Sequence, residues 1–269
     1  QFLIQFLGIS YHDLFSFLPS NFVQHGYNTS YPLVYGSSIY KSNGVIFLES
    51  SFFSQFLAIA FLVEMVYFQR IHRIVLFLAA MFCTFSGTGI LLLVITLPFW
   101  FKYLLKKKLV IAFTAAILLL IILASIAPAD IINSYLSRIN EIGTAGTSAN
   151  MRFIAPYKSM NIILDSKALW LGLGAGAVTG LEEIAQANFP VFPKLAIEYG
   201  LFTAILFTLF LLLCFFRRQR NFSLALGGAV MYFILSGSLL QPQIVFFLFI
   251  IIIFLPLADS PKHYRDNLT

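Results

Sequence analysis

Charge is scarce in this chain. Asp, Glu, Lys and Arg together make up 10% of its 269 residues, whereas a soluble domain carries about a quarter. With 59% hydrophobic residues and a mean hydropathy of +0.89, that shortage excludes a soluble globular protein. Cysteine is nearly missing too: Cys83 and Cys214 both lie inside apolar runs, so neither an external disulfide framework nor a thiolate metal centre is expected. His12, His25, His72 and His263 are scattered, and no metal or other cofactor is expected. Apolar and polar residues do not alternate. The runs are continuous, which points to spanning helices and excludes a barrel, because a backbone in lipid must satisfy its own hydrogen bonds. No basic flank or small-residue cleavage site precedes Tyr11, His12 and Asp13, so no cleavable signal is read, and the start at Gln1 suggests N-terminal truncation.

What is present is a series of apolar runs. They predict an all-α, polytopic transmembrane helix bundle, a single domain over 1–269, with about eight spans: 2–18, 49–68, 71–86, 88–104, 109–127, 191–216, 222–240 and 243–258. The stretch 74–101 is long enough for one tilted helix, but a turn at Ser86, Gly87, Thr88 and Gly89 puts two basic clusters on one face. Arg70, Arg73, Lys102, Lys106, Lys107, Lys108, Arg217, Arg218, Arg220, Lys262 and Arg265 then share one side. Lys41, Arg138, Arg152, Lys158, Lys167 and Lys194 take the other. The richer side is cytoplasmic by the positive-inside rule. The net charge of +6 is thus a topology signal, with membrane lipid headgroups as its partners and no nucleic acid.

Two segments fall outside: 19–48, and a long external loop, 128–190. Ile131, Ile132, Tyr135, Leu136 and Ile139 repeat at helical spacing, as do Phe153, Tyr157, Met160 and Leu164. Two amphipathic helices lying on the membrane or roofing a cavity are expected, with Gly143 to Asn150 as a hinge.

Several polar residues invite chemistry. Arg152, at the expected start of the second loop helix, is suited with Lys158 and Lys167 to hold a phosphate group in bidentate fashion; the plainer reading is solvated charge. Glu49 either caps the helix it precedes or projects into a polar cavity. Glu198, inside the apolar run after the loop, is a functional candidate by its depth. Glu64 and Asp13 lie near span ends, where snorkelling or helix packing accounts for them. The amides of Thr84 to Gly89 suit an anion or simply a tight re-entry turn. Gly172, Gly174 and Gly176 lack the preceding strand of a dinucleotide loop and are read as a sharp turn bringing loop and membrane together. Trp100 and Trp170 sit where interface anchors are expected.

Taken in order, these residues resemble the bacterial O-antigen ligase and polysaccharide polymerase family from about Lys41 to Pro256. Lys41, Gly44, Phe47, Glu49 and Ser51 are similar to that family's basic residue, glycine and Glu-Pro-Ser helix entry. Thr84, Ser86, Thr88 and Gly89 resemble its Thr-x-Ser-Arg-Thr-Gly turn, with Gly87 in place of the arginine. Arg152, Leu169, Gly172, Gly174 and Gly176 resemble its loop arginine and glycine turn. Glu198, Tyr199, Gly200 and Leu201 resemble its Glu-x-Gly span entry. The family's His-Asn pair has no counterpart around Asn188 and Phe189, which directs the resemblance toward polymerase.

The resemblance implies a metal-independent glycosyltransferase at the external face of the bacterial cytoplasmic (inner) membrane. Its donor is a polyprenyl-diphosphate-linked oligosaccharide and its acceptor a sugar hydroxyl of another lipid-linked glycan, as in O-antigen, lipopolysaccharide or exopolysaccharide synthesis, with a chain-length regulator as a further partner. It implies Arg152 on the diphosphate and Glu49 as orienting group or base. The resemblance further implies that Lys41, Arg138, Lys158, Ser86, Thr88 and Glu198 bind substrate. The alternatives are a transporter or flippase of lipid-linked or anionic solutes, and a noncatalytic assembly partner.

Overall fold

The structure is a computed structural model describing residues 1–19, 29–33, 36–105, 147–164, 167–185, 187–218 and 221–235, with positions 110, 114, 118, 144, 246, 247 and 250. It is all-α; Pro32 and Tyr40 form an isolated antiparallel bridge. The chain divides into two compact units, Gln1–Arg138 and Ile139–Thr269.

In the first unit, α1 (Ser50–Phe68), α2 (Ile71–Cys83) and α3 (Gly87–Leu104) run up, back and up again. At 1.5 Å per residue α1 is about 28 Å long, close to the hydrocarbon thickness of a bilayer. Its last turn is wider than an α-helix, and Gln69, left-handed at φ 56, ends it with an N–H to the Glu64 carbonyl. The same Glu64 closes the hairpin: its carboxylate accepts the Arg70 N–H at 3.0 Å, a group at the start of α2 that no helical carbonyl reaches. Arg73 lies 3.8 Å from the other oxygen. Glu64 is 3% exposed, so packing and capping explain it, not snorkelling.

The 74–101 stretch is two helices, broken at Thr84, Phe85 and Ser86. Within α3, Pro98 removes one N–H, and just upstream the Leu93 carbonyl accepts the Trp100 indole N–H at 3.1 Å. Trp100 is 4% exposed and meets Phe61 edge-on at 5.3 Å. It is therefore internal packing, correcting its expected role as an interface anchor: an indole whose N–H is satisfied within its own unit has no need of the headgroup layer.

The second unit holds α4 (Ser148–Phe153), α5 (Ala155–Ser159), α6 (Asn161–Leu164), α7 (Ala177–Ala185), α8 (Val191–Arg218) and α9 (Phe222–Leu235). The expected second amphipathic helix is divided into α4, α5 and α6. Pro156, at the start of α5, has no N–H to extend α4. The buried residues are accordingly Pro156, Met160 and Ile163, while Tyr157 and Leu164 are exposed. Ser148 to Asn150 belong to α4, capped by the Thr147 hydroxyl, and are not hinge.

Three helices among the described residues are long and apolar enough to cross a membrane, α1, α3 and α8, not eight. The expected span 2–18 is a single helical turn, Phe2–Gln5, and a short 3-10 turn, Leu14–Phe17. Gly8 at φ 82 breaks the run, and Asp13 caps the 3-10 turn by accepting the Phe15 N–H at 2.9 Å. The α2 helix has 13 residues, about 20 Å, which is short of a crossing. The expected spans 109–127 and 243–258 lie for the most part outside the described residues, as do Ile131 to Ile139.

Candidate functional site

The first unit gathers four of the sequence-predicted residues, Lys41, Glu49, Ser86 and Thr88, at one end, where α1 and α3 begin and α2 finishes. The Ser42 N–H donates to the Cys83 carbonyl at 3.1 Å, fixing the segment that carries Lys41 against the end of α2. Lys41 is 4% exposed, with Nζ 4.3 Å from the Tyr31 ring centre. A desolvated ammonium on an aromatic face is held by the ring's quadrupole. Glu49 precedes α1 with extended backbone, yet its side chain makes no capping hydrogen bond; the carboxylate accepts the Ser51 hydroxyl at 2.8 Å.

The Ser86–Gly89 turn is stitched to α1. The Thr88 hydroxyl donates to the Ser51 carbonyl at 3.1 Å and receives that of Ser86 at 3.0 Å, while the Gly89 N–H donates to Ser54 Oγ at 3.1 Å. A side chain at Gly89 would run into Ser54, so a glycine lets the two helices meet there. These bonds favour the tight re-entry turn over an anion cradle, since the Gly89 amide is already committed. Gly87, by contrast, is exposed with open space around it.

The second unit carries Arg152, Lys158 and Glu198. Arg152 is half-buried in the last turn of α4, not at a helix start as expected, and Lys158 is exposed in the last turn of α5. The Asn188 N–H donates to the Met151 carbonyl at 2.8 Å, which ties the residue beside Arg152 to the segment entering α8. Burial pushes the Tyr157 phenol up, keeping it a neutral donor next to Lys158. Arg138 lies outside the described residues.

Glu198 has the most unusual setting. It stands two residues before Gly200, whose φ of 85° and ψ of 161° interrupt α8. The glycine turn Gly172–Gly176 docks on this break: the Leu173 N–H donates to the Ile197 carbonyl at 2.8 Å and the Gly174 N–H to the Glu198 carbonyl at 3.0 Å. Both acceptors would otherwise serve the next helical turn. A side chain at Gly200 would strike the Trp170 carbonyl. Glu198 is 4% exposed, and its Oε1 has no hydrogen-bond partner among the described residues. An oxygen left so costs about 1–3 kcal/mol. The sequence marked both the glycine turn and Glu198, but as separate features; what it did not reveal is that one is built against the other.

Around that break the surface is apolar. Trp170 is 62% exposed and Leu171 84%, beside the outward residues Tyr199 and Phe202. Compared with protein-family models, with curated proteins and with solved structures, the chain matches none.

Proposed function

We propose that this chain is a membrane glycan polymerase, transferring a polyprenyl-diphosphate-linked oligosaccharide to a sugar hydroxyl of another lipid-linked glycan at the external face of a bacterial inner membrane. The observation that carries the reading is where α8 breaks. From Leu201 to Arg218 the helix is about 27 Å long at 1.5 Å per residue, against roughly 30 Å of hydrocarbon. That half suffices to cross. Glu198, the docked glycine turn and the Asn188 tie to the Arg152 helix then lie at the mouth of the span, opposite Arg217 and Arg218. Within the first unit, Glu49, Ser86 and Thr88 lie at the starts of α1 and α3, and Arg70, Arg73 and Lys102 at the other end.

In this reading the Arg152 guanidinium grips the diphosphate in bidentate fashion and stabilises the charge that grows on it as the glycosyl bond breaks, with Lys158 as an exposed helper. Within the first unit, Lys41 acts from a buried position on the electrostatics around Glu49, Ser86 and Thr88, and Glu49 orients through Ser51. Neither step calls on a cofactor. A chain-length regulator is the expected protein partner.

The purified chain in lipid nanodiscs, given the lipid-linked oligosaccharide pool extracted from cells that express it, is expected to build a glycan ladder and release polyprenyl diphosphate. Arg152→Ala is expected to lower elongation by about 100-fold or more, with insertion intact. An unchanged ladder in that variant would refute the assignment.

A transporter is the second reading, favoured by one observation, the interrupted helix α8, since transporters bind solute at broken helices near the midplane. Movement of a fluorescent lipid diphosphate between leaflets without its release as free diphosphate would select it.

A further inference from the structure

Resting on the polymerase reading, we infer that the Glu198 carboxylate, held at the break in α8, accepts the proton of the acceptor hydroxyl. Two independent features lead there. The first is the unmet oxygen: Oε1 is buried and has no partner among the described residues; Gln55 Oε1 and Thr208 Oγ1 share that state but belong to groups that take up no proton, whereas the buried Glu64 carboxylate already receives the Arg70 N–H. Glu49 differs, for its carboxylate already receives the Ser51 hydroxyl.

The second feature is the effort the fold spends on that position. Gly200 interrupts the helix with a backbone conformation open essentially to glycine alone. A separate loop then supplies the Leu173 and Gly174 N–H groups to the carbonyls of Ile197 and Glu198. With the main chain satisfied by the loop, the side chain is left as the unmatched acceptor. A hydroxyl group is the ligand that completes it: one donor for one bare oxygen, with no charge to bury.

The step balances. The acceptor hydroxyl gives its proton to Oε1 as its oxygen bonds to the anomeric carbon of the donor sugar. The bond from that carbon to the diphosphate oxygen breaks, and its electron pair leaves with the polyprenyl diphosphate. Glu198 then releases the proton to water and is reset.

Function and stability pull in opposite directions here, which gives a clean test. Glu198→Gln, similar in shape, should lower the rate of elongation by about 100-fold or more in nanodiscs supplied with the extracted lipid-linked oligosaccharide pool. Binding of polyprenyl diphosphate alone, followed by phosphorus NMR, should be unchanged. The thermal midpoint should stay level or rise, because the amide is neutral where a carboxylate is buried without a partner for Oε1; Glu198→Asp should recover part of the rate. Loss of elongation together with a lowered midpoint in Glu198→Gln would mark a structural role and overturn the inference, as would full elongation. If the unaltered chain neither elongates nor binds the diphosphate, the polymerase reading falls, and this inference with it.

Discussion

Tyr11 shows how a single residue reports on its surroundings. Its hydroxyl donates to the Thr29 carbonyl at 2.7 Å and its ring stacks on Tyr40 at 4.9 Å. Burial, then the nearby negative charge of Asp13, pushes its phenol from 10.0 up to about 12, against a smaller opposing hydrogen bond from Gln1. Asp13 in turn accepts the hydroxyls of Thr29 and Ser30. The sign follows from linkage: the folded form keeps the proton longer than the unfolded one, so the stabilisation is complete below pH 10 and is lost as pH rises through about 12. A difference titration of phenolate absorbance between the unaltered chain and Tyr11→Phe should show one group ionising near pH 12. A difference appearing at pH 10 would contradict the packed N-terminal segment. Residue types alone do not foretell this network, because Asp13 finds its partners sixteen and seventeen positions away.

Elements in this protein are governed by where glycine and proline interrupt apolar runs. Gly200→Ala must adopt a backbone conformation costing about 1–3 kcal/mol and also pushes a methyl group into the Trp170 carbonyl. It is expected to lower the thermal midpoint and to release the 170–174 turn, seen as faster amide exchange at Leu173 and Gly174. Gly180→Ala is the control. Gly180 lies within α7 with open space around it, so the substitution should be neutral or slightly stabilising. Equal effects at the two positions would contradict the docking of the turn on α8. The helices α1, α3 and α8 were legible in the sequence because long uninterrupted apolar runs have few alternatives. The 2–18 run forms no span, since hydropathy averages over Gly8 and Asp13 while the backbone does not. The division of α4 from α5 is hidden from periodicity for a related reason: the pattern ignores the missing N–H of Pro156.

At the scale of the whole molecule, the distribution of basic residues sets the testable orientation. With Cys83 and Cys214 replaced by serine, single cysteines at 152 and 158 should react with a membrane-impermeant maleimide added to intact cells. A cysteine at 217 should react only after permeabilisation. Labelling of 152 from the cytosolic side alone would remove both the polymerase reading and the role given to Glu198. Arg152 is singled out by residue order alone; its neighbour Met151 is tied to the α8 entry through the Asn188 N–H.

Composition and continuous apolar runs together determined that this chain forms helices long and apolar enough to cross a membrane, because a 10% charged, 59% hydrophobic sequence has no way to clothe a soluble surface and its runs do not alternate. The same sequence also marked which ionisable residues are costly enough to notice. Tertiary structure decided which of them are already satisfied: Glu64 by the Arg70 amide, Glu49 by Ser51, and Glu198 by nothing at Oε1 among the described residues. The reason is physical. Hydrophobicity is a property each residue carries with it, whereas a hydrogen-bond partner comes from elsewhere in the chain and exists only once the backbone has brought it within about 3 Å.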